Sequence, residues 1–240
     1  MKNYELLTFA NADELAHAAA TTWRNAIEAA NLAGKMHCVA LSGGRITQKF
    51  FASVVEQDRV GKISYKNVHF FWADERCVPP SDPESNFKMA DELLFKPLKI
   101  AADNIHRLRG ELLPEEAVKI AEAELRRVTA HNSDNQSVLD LIFLGMGEDG
   151  HIASLFPNSS ENFLDTAAPF LVIKNSPKPP PTRISLGYKT ILAAKNIAIL
   201  VSGAGKEAAF RESISPDGKT PLARVLQGHP VKIFSDIKIF

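Results

Sequence analysis

The stretch that decides the fold is Val138-Leu139-Asp140-Leu141-Ile142-Phe143-Leu144-Gly145-Met146-Gly147-Glu148-Asp149-Gly150-His151. Its first half, a strand over Val138–Leu144, is almost continuously apolar, as strands are when both faces of their sheet are covered. Its second half places three glycines in six residues and ends on a histidine, so a buried strand delivers a close, polar loop. The same design recurs along the chain. Met36–Leu41 runs into Ser42-Gly43-Gly44-Arg45, and Val68–Ala73 (Val-His-Phe-Phe-Trp-Ala) runs into Asp74-Glu75-Arg76. Tyr4–Phe9, Phe170–Ile173, Arg183–Leu186, Ile197–Val201 and Val231–Phe234 read as further strands.

Helical patterns fall between them. Asn11 followed by Glu14 has the form of a capping box and opens a helix to about Ala30. Helices are expected over Ile46–Gln57 and, after a proline-rich loop at Val78–Ser85, over about Phe87–Phe95. Pro114 suits a first helical turn, Glu115 and Glu116 suit its positive end, and the polar His131–Ser137 ends that helix near Ala130. Shorter helices are expected near Thr190–Ala194, Lys206–Ser213 and Pro221–Gln227. There is no internal repeat, and strands resume directly beyond Pro177–Pro181. Residues 1–240 therefore read as a single α/β domain with a mostly parallel, Rossmann-like sheet covered by helices on both faces.

Composition narrows the function. The chain has 240 residues, 45% hydrophobic and 23% charged, an ordinary globular balance. Lysines plus arginines number 28 and acids 28, so no nucleic-acid or membrane partner is expected, and an anionic ligand must be met by a local cluster. Met1–Phe9 carries charges and is not expected to be a signal peptide, and no apolar run reaches the roughly 18 residues of a membrane span. Two cysteines imply no disulfide framework, so a reducing, cytoplasmic setting is expected. The seven histidines include no His-x-x-x-His or His/Cys cluster, so neither a metal site nor a cofactor is expected.

Ligands of parallel sheets gather at the carboxyl ends of strands, where three motifs fall. Ser42-Gly43-Gly44-Arg45 offers backbone N–H groups and a helix start to a phosphate; a plain tight turn explains it equally well. Asp74-Glu75-Arg76 places an arginine for bidentate phosphate contact, or forms an ion pair that fastens the next loop. Asp149 two residues before His151 suits a histidine base steadied by a carboxylate; a structural turn histidine is the competing reading. Gly203-Ala204-Gly205-Lys206 is a failed P-loop, because Glu207 stands where Ser or Thr belongs, though Lys206 still sits near a helix start. Ser154 lacks a nucleophile elbow, so a hydrolase built on these residues uses activated water.

Leu144-Gly145-Met146-Gly147-Glu148-Asp149-Gly150-His151-Ile152-Ala153-Ser154-Leu155-Phe156-Pro157 resembles the signature of the 6-phosphogluconolactonase family. Ser42-Gly43-Gly44, Trp72–Pro79, Asp82…Ser85-Asn86 and Ser176-Pro177-Lys178-Pro179-Pro180 match its other blocks in order, from about Phe9 to Gln227. Glucosamine-6-phosphate deaminases share the Asp-Gly-His core but continue with an Asn-Glu-Pro run and carry Asp-Glu-Tyr. Here Ser154-Leu155-Phe156-Pro157 and Asp74-Glu75-Arg76 stand instead. Arg45-Ile46-Thr47 departs from the family's small hydroxyl residue and proline after the glycines.

The resemblance implies hydrolysis of a phosphorylated sugar lactone in the oxidative pentose phosphate pathway. His151 is then the general base and Asp149 its orienting partner. Ser42, Gly43 and Gly44 line the substrate, and Arg76, Lys178 and Lys206, with Arg45 or Arg183, bind its phosphate. It also implies functional coupling to glucose-6-phosphate dehydrogenase. A deaminase/isomerase, a non-catalytic sugar-phosphate sensor and a nucleotide-binding protein are the rival readings.

Overall fold

The computed structural model describes residues 3–157 and 166–239. Six strands form one parallel sheet: β1 (Tyr4–Thr8), β2 (His37–Leu41), β3 (Val68–Trp72), β7 (Leu141–Gly145), β10 (Ile197–Val201) and β11 (Val231–Ser235). Their order is β1-β11-β10-β7-β2-β3, and every neighbouring pair is parallel. All five residues of β2 and of β10 are buried, as strands covered on both faces must be. From β2 the chain steps outward to β3, and from β7 it steps the other way to β10 and β11. The direction reverses between β2 and β7, which makes their carboxyl ends the topological switch point.

Helix α1 (Ala12–Leu32) is capped as its sequence predicts. The Asn11 side chain accepts from the backbone N–H groups of Asp13 and Glu14, and Glu14 reaches back to the N–H of Ala10. Its Trp23 packs with ring centroids 5.6 Å from Phe50 of α2 (Arg45–Val60), 6.1 Å from Phe70 of β3 and 5.7 Å from Phe143 of β7. One side chain thus ties both helices to β3 and β7, and truncating it to alanine costs about 3–5 kcal/mol.

Several expectations are corrected. The Val138–Leu144 strand is broken: Ser137–Val138 (β6) forms a small hairpin with Ala130–His131 (β5), and the sheet strand begins at Leu141. Asp140 makes the break, because its carboxylate accepts the N–H of Cys38 at 2.8 Å and meets Lys195 at 2.6 Å. Helix α5 (Pro114–Val128) follows α3 (Asn86–Ala90) and α4 (Lys96–Leu98), and ends two residues before the expected Ala130. Phe170–Ile173 (β8) and Arg183–Leu186 (β9) are strands but stand outside the parallel sheet. They join Asp74–Arg76 (β4) in a separate three-stranded antiparallel sheet.

Helices α6 (Tyr188–Leu192), α7 (Glu207–Ser213) and α8 (Pro221–Gly228) complete the layers. Both cysteines are free. Among the described residues no helix is long and apolar enough to cross a membrane.

Candidate active site

The loops after β2 and β7 meet at the switch point. The Ser42 hydroxyl donates to the carbonyl of Phe143 at 2.9 Å, stitching the two strand ends together. Gly44 caps α2 with φ 107°, a left-handed value that favours glycine, while Thr47 closes the turn by donating to the Gly43 carbonyl at 2.9 Å. Arg45 opens α2 and is exposed.

The loop after β7 folds back on itself, with the N–H of Gly147 donating to the carbonyl of His151 at 2.9 Å. A Cβ on Gly147 would lie 2.0 Å from the His151 ring, so glycine alone lets the imidazole lie over the turn. Asp149 Oδ1 receives both His151 Nδ1 and, at 3.2 Å, the His151 backbone N–H. That contact assigns the proton to Nδ1 and leaves Nε2 as the basic nitrogen. Burial holds His151 below the usual histidine range; Asp149 and Asp74 pull upward, and Lys178 pushes further down. Burial alone would raise Asp149, but the charge and hydrogen bonds of His151 outweigh it and keep the carboxyl below its ordinary value.

Asp74-Glu75-Arg76, read from sequence as a charged strand end, is the strand β4. Its antiparallel pairing sets Arg76 opposite Arg183 and Asp74 opposite Ser185. Two arginines distant in sequence therefore enter one cleft. Arg76 donates to the carbonyl of Glu84, and its Nε is buried with no partner. Arg183 is fixed differently, its guanidinium donating to the carbonyls of Pro180, Lys178 and Pro179 at 3.0–3.1 Å.

An ion pair does fasten the following loop, between Arg76 and Glu84 at 3.5 Å, and Glu75 fastens it a second time through hydrogen bonds. Its carboxyl accepts the backbone N–H groups of Arg76, Asn86 and Phe87 and the Ser85 hydroxyl. Burial pushes it up to about 7, against the pull of those N–H donors. Asp74 is buried too, accepting the hydroxyl of Ser154 at 2.7 Å, while its carbonyl takes the Asn86 amide at 2.9 Å.

The resulting cleft has a volume of about 140 Å³. His151, Ser42, Gly43, Gly44, Arg45, Arg76, Arg183 and Lys206 all line it. Asp149 stands behind the imidazole, and Lys178 lies outside the lining, on the loop whose carbonyls hold Arg183. Burial first, and then Arg45, lowers the Lys206 ammonium, and Glu148 and Asp236 only partly offset this. No ion pair joins Lys206 among the described residues.

Asn86, read in the sequence only as the end of a block that matches the family, and Ser202, which went unread and whose hydroxyl donates to Asp236 at 2.8 Å, also line the cleft. Among the described residues no group of three His, Cys, Asp or Glu could hold a metal ion. A larger groove of about 600 Å³, bordered by Phe71, Phe95 and Lys99, contains none of the sequence-predicted site residues.

Residues 10–234 match the family model described as glucosamine-6-phosphate isomerases/6-phosphogluconolactonase. The 6-phosphogluconolactonase of Haemophilus influenzae is 42% identical over 174 residues, covering 72% of this chain and 72% of that protein. The solved 6-phosphogluconolactonase of Trypanosoma brucei superposes with a TM-score of 0.85 at 25% identity, over 98% of this chain and 97% of that one. A solved monomeric glucosamine-6-phosphate deaminase, 19% identical, superposes with a TM-score of 0.78 over 98% and 97% of the two chains, a likeness of fold alone.

Proposed function

The chain belongs to the glucosamine-6-phosphate isomerase/6-phosphogluconolactonase family, and on that premise we propose that it hydrolyses 6-phospho-D-glucono-1,5-lactone to 6-phosphogluconate. The carrying observation is that the Asp149–His151 pair and the arginines Arg76 and Arg183 converge on one cleft at the switch point. A base beside an anion cradle is what a phosphorylated, water-labile ester requires.

His151 Nε2 takes a proton from water as the oxygen attacks the C1 carbonyl. Asp149 holds the imidazole through Nδ1 and stabilises the imidazolium that forms. The carbonyl π electrons move onto oxygen, where the backbone N–H groups of the Gly43–Gly44 turn receive the charge. When the carbonyl reforms, the bond from C1 to the ring oxygen breaks and that oxygen takes the proton back from His151. The product acid then ionises.

Arg76, Arg183 and Lys206, with Arg45 and Lys178 at the rim, bind the phosphate. That remote binding also places the reacting carbonyl, so the arginines whose planar forks fix the phosphate's orientation act on kcat as well as KM. The whole chain works as one domain of this kind, in the cytoplasm, with two reduced cysteines. The lactone is the product of oxidation at C1 of a hexose phosphate, which makes glucose-6-phosphate dehydrogenase the natural supplier.

The test follows loss of freshly generated lactone near pH 7 against its spontaneous hydrolysis. Acceleration by the wild type and not by His151→Ala supports the reading. A folded wild type that gives no acceleration overturns it, and release of ammonia from glucosamine 6-phosphate would then point to the deaminase.

A further inference from the structure

We propose that Phe156 is a positioning residue for this reaction, its ring bracing the imidazole of His151 and the guanidinium of Arg183 at once. The inference rests on the lactonase reading of the site, in which His151 is the base and Arg183 meets the phosphate.

The ring centroid lies 4.6 Å from that of His151 at an interplanar angle of 41°, and the Arg183 guanidinium carbon lies 5.7 Å from the same centroid. Phe156 is 5% exposed, so its ring is not free to turn away. It ends a short strap that leaves the catalytic turn at His151. Ile152 bridges to Met146 and Leu155, the N–H of Ser154 donates to the Ser185 hydroxyl at 3.2 Å, and the Ser154 hydroxyl is tied to Asp74. On the far side Arg183 is held by three carbonyls of the 178–180 loop. Phe156 thus joins two groups that are each already anchored to different elements, the β7 loop and β9.

A phenyl ring has no proton to exchange and no charge to offer an anion. What it supplies here is shape and dryness. It keeps water from one side of the imidazole, which disfavours the charged form, and it gives the arginine a π face to rest on. The charged groups facing His151 are Asp149 on its own loop, Asp74 on β4 and Lys178 on the proline loop. Replacing Phe156 removes none of these charges, and the Arg183 cation across the ring would lower His151 if it moved closer, so a rise in His151 basicity on replacement reports the ring. The bound phosphate and the attacked carbonyl are the two ends of one substrate, so the spacing from Arg183 to His151 governs how well the carbonyl meets the base.

The experiment compares wild type with Phe156→Leu, Phe156→Met and Phe156→Tyr. Two quantities are read on each: kcat/KM for lactone from pH 5 to 9, and the titration of the His151 Cε1 proton by NMR. Losing the ring should move both the acid limb and the His151 titration to higher pH by about half a unit to one unit. It should also lower kcat and raise KM severalfold together. Tyr, which keeps the ring, should hold the limb in place. Phe156→Met provides the same comparison should Phe156→Leu fold poorly.

An unmoved limb and titration in ring-less variants would overturn the proposal, as would equal damage from Leu and Tyr. A wild type that does not hydrolyse lactone, combined with a ring-dependent His151 titration, would remove the lactonase reading and leave the brace standing.

Discussion

The side-chain amide of Asn86 occupies the space that a methyl group on Gly43 would need: the added carbon would lie 1.9 Å from Asn86 Oδ1. Asn86 cannot retreat freely, because its amide nitrogen donates to the Asp74 carbonyl at 2.9 Å and its backbone N–H to Glu75 at 2.8 Å. The glycine turn, the β4 strand and the start of α3 are therefore one packed unit.

Gly43→Ala should consequently break a buried contact instead of adding a harmless methyl. The expected cost is about 1–3 kcal/mol, the scale of a buried polar group left without its partner. Lactone turnover should fall with it, since the turn's N–H groups shift. The double variant Gly43→Ala/Asn86→Ala should be less destabilised than the sum of the two single ones. Strict additivity in urea unfolding would show that the two residues do not share this space.

The His151–Asp149 contact carries a pH prediction. Burial puts the folded histidine below its usual range, so the basic form persists into mildly acidic solution. The acid limb of kcat/KM should therefore lie below pH 6.5. A depressed folded value also means that His151 favours the fold above its unfolded pKa, and that this contribution is lost as pH falls through the folded value. Asp149→Asn removes the carboxylate that selects the Nδ1 proton and should cost about 10²–10⁴-fold in kcat. A limb at or above 6.5 in the wild type would contradict the buried, neutral base.

Lys206 and Arg76 should separate in their kinetics. Lys206 is a half-buried ammonium with no ion pair among the described residues, so its charge is available to the ligand. Lys206→Met should raise KM by about 10–100-fold, corresponding to one charge-assisted hydrogen bond of about 1.5–3 kcal/mol. Arg76→Lys keeps the charge but loses the planar fork and the contact with the Glu84 carbonyl. It should lower kcat as well as raise KM, because the phosphate is held less squarely. Inorganic phosphate should compete with lactone in the wild type and far less in Lys206→Met. Equal inhibition of the two proteins would place the anion elsewhere.

Much of this site was legible before the fold. Apolar runs such as Ile197–Val201 announce strands covered on both faces, and the order of the loops brings Gly43 and His151 to one edge. The Asp149–His151 pair is a local contact, two residues apart, so its spacing in the sequence already contains it. The antiparallel sheet was hidden for the opposite reason. Asp74-Glu75-Arg76 has neither alternation nor β-branched residues, and it is a strand because Arg183–Ser185 pairs with it. Arg76 beside Arg183 follows from that pairing alone. Asn86 is legible only as the end of the Asp82…Ser85-Asn86 block and Ser202 carries no pattern, so their place in the cleft is what shows their use. Asp140 hid the true start of β7 because a half-buried carboxylate satisfied by Cys38 and Lys195 leaves no mark on hydrophobic periodicity.

Ser154 gives the sharpest separation between stability and chemistry. It stands three residues from the base and carries a hydroxyl, which makes it the obvious rival nucleophile. Its side chain is fully buried, however, and donates to Asp74 Oδ2 at 2.7 Å, an acceptor that would have to be abandoned for attack. Activated water needs no such rearrangement. Ser154→Ala should therefore keep kcat within about tenfold of wild type while losing about 1–3 kcal/mol of stability, because the buried Asp74 carboxylate forfeits its hydroxyl donor. Urea unfolding and steady-state kinetics on the same preparation measure both terms. A loss of 10³-fold or more in kcat with unchanged stability would make Ser154 the nucleophile and displace water from the mechanism.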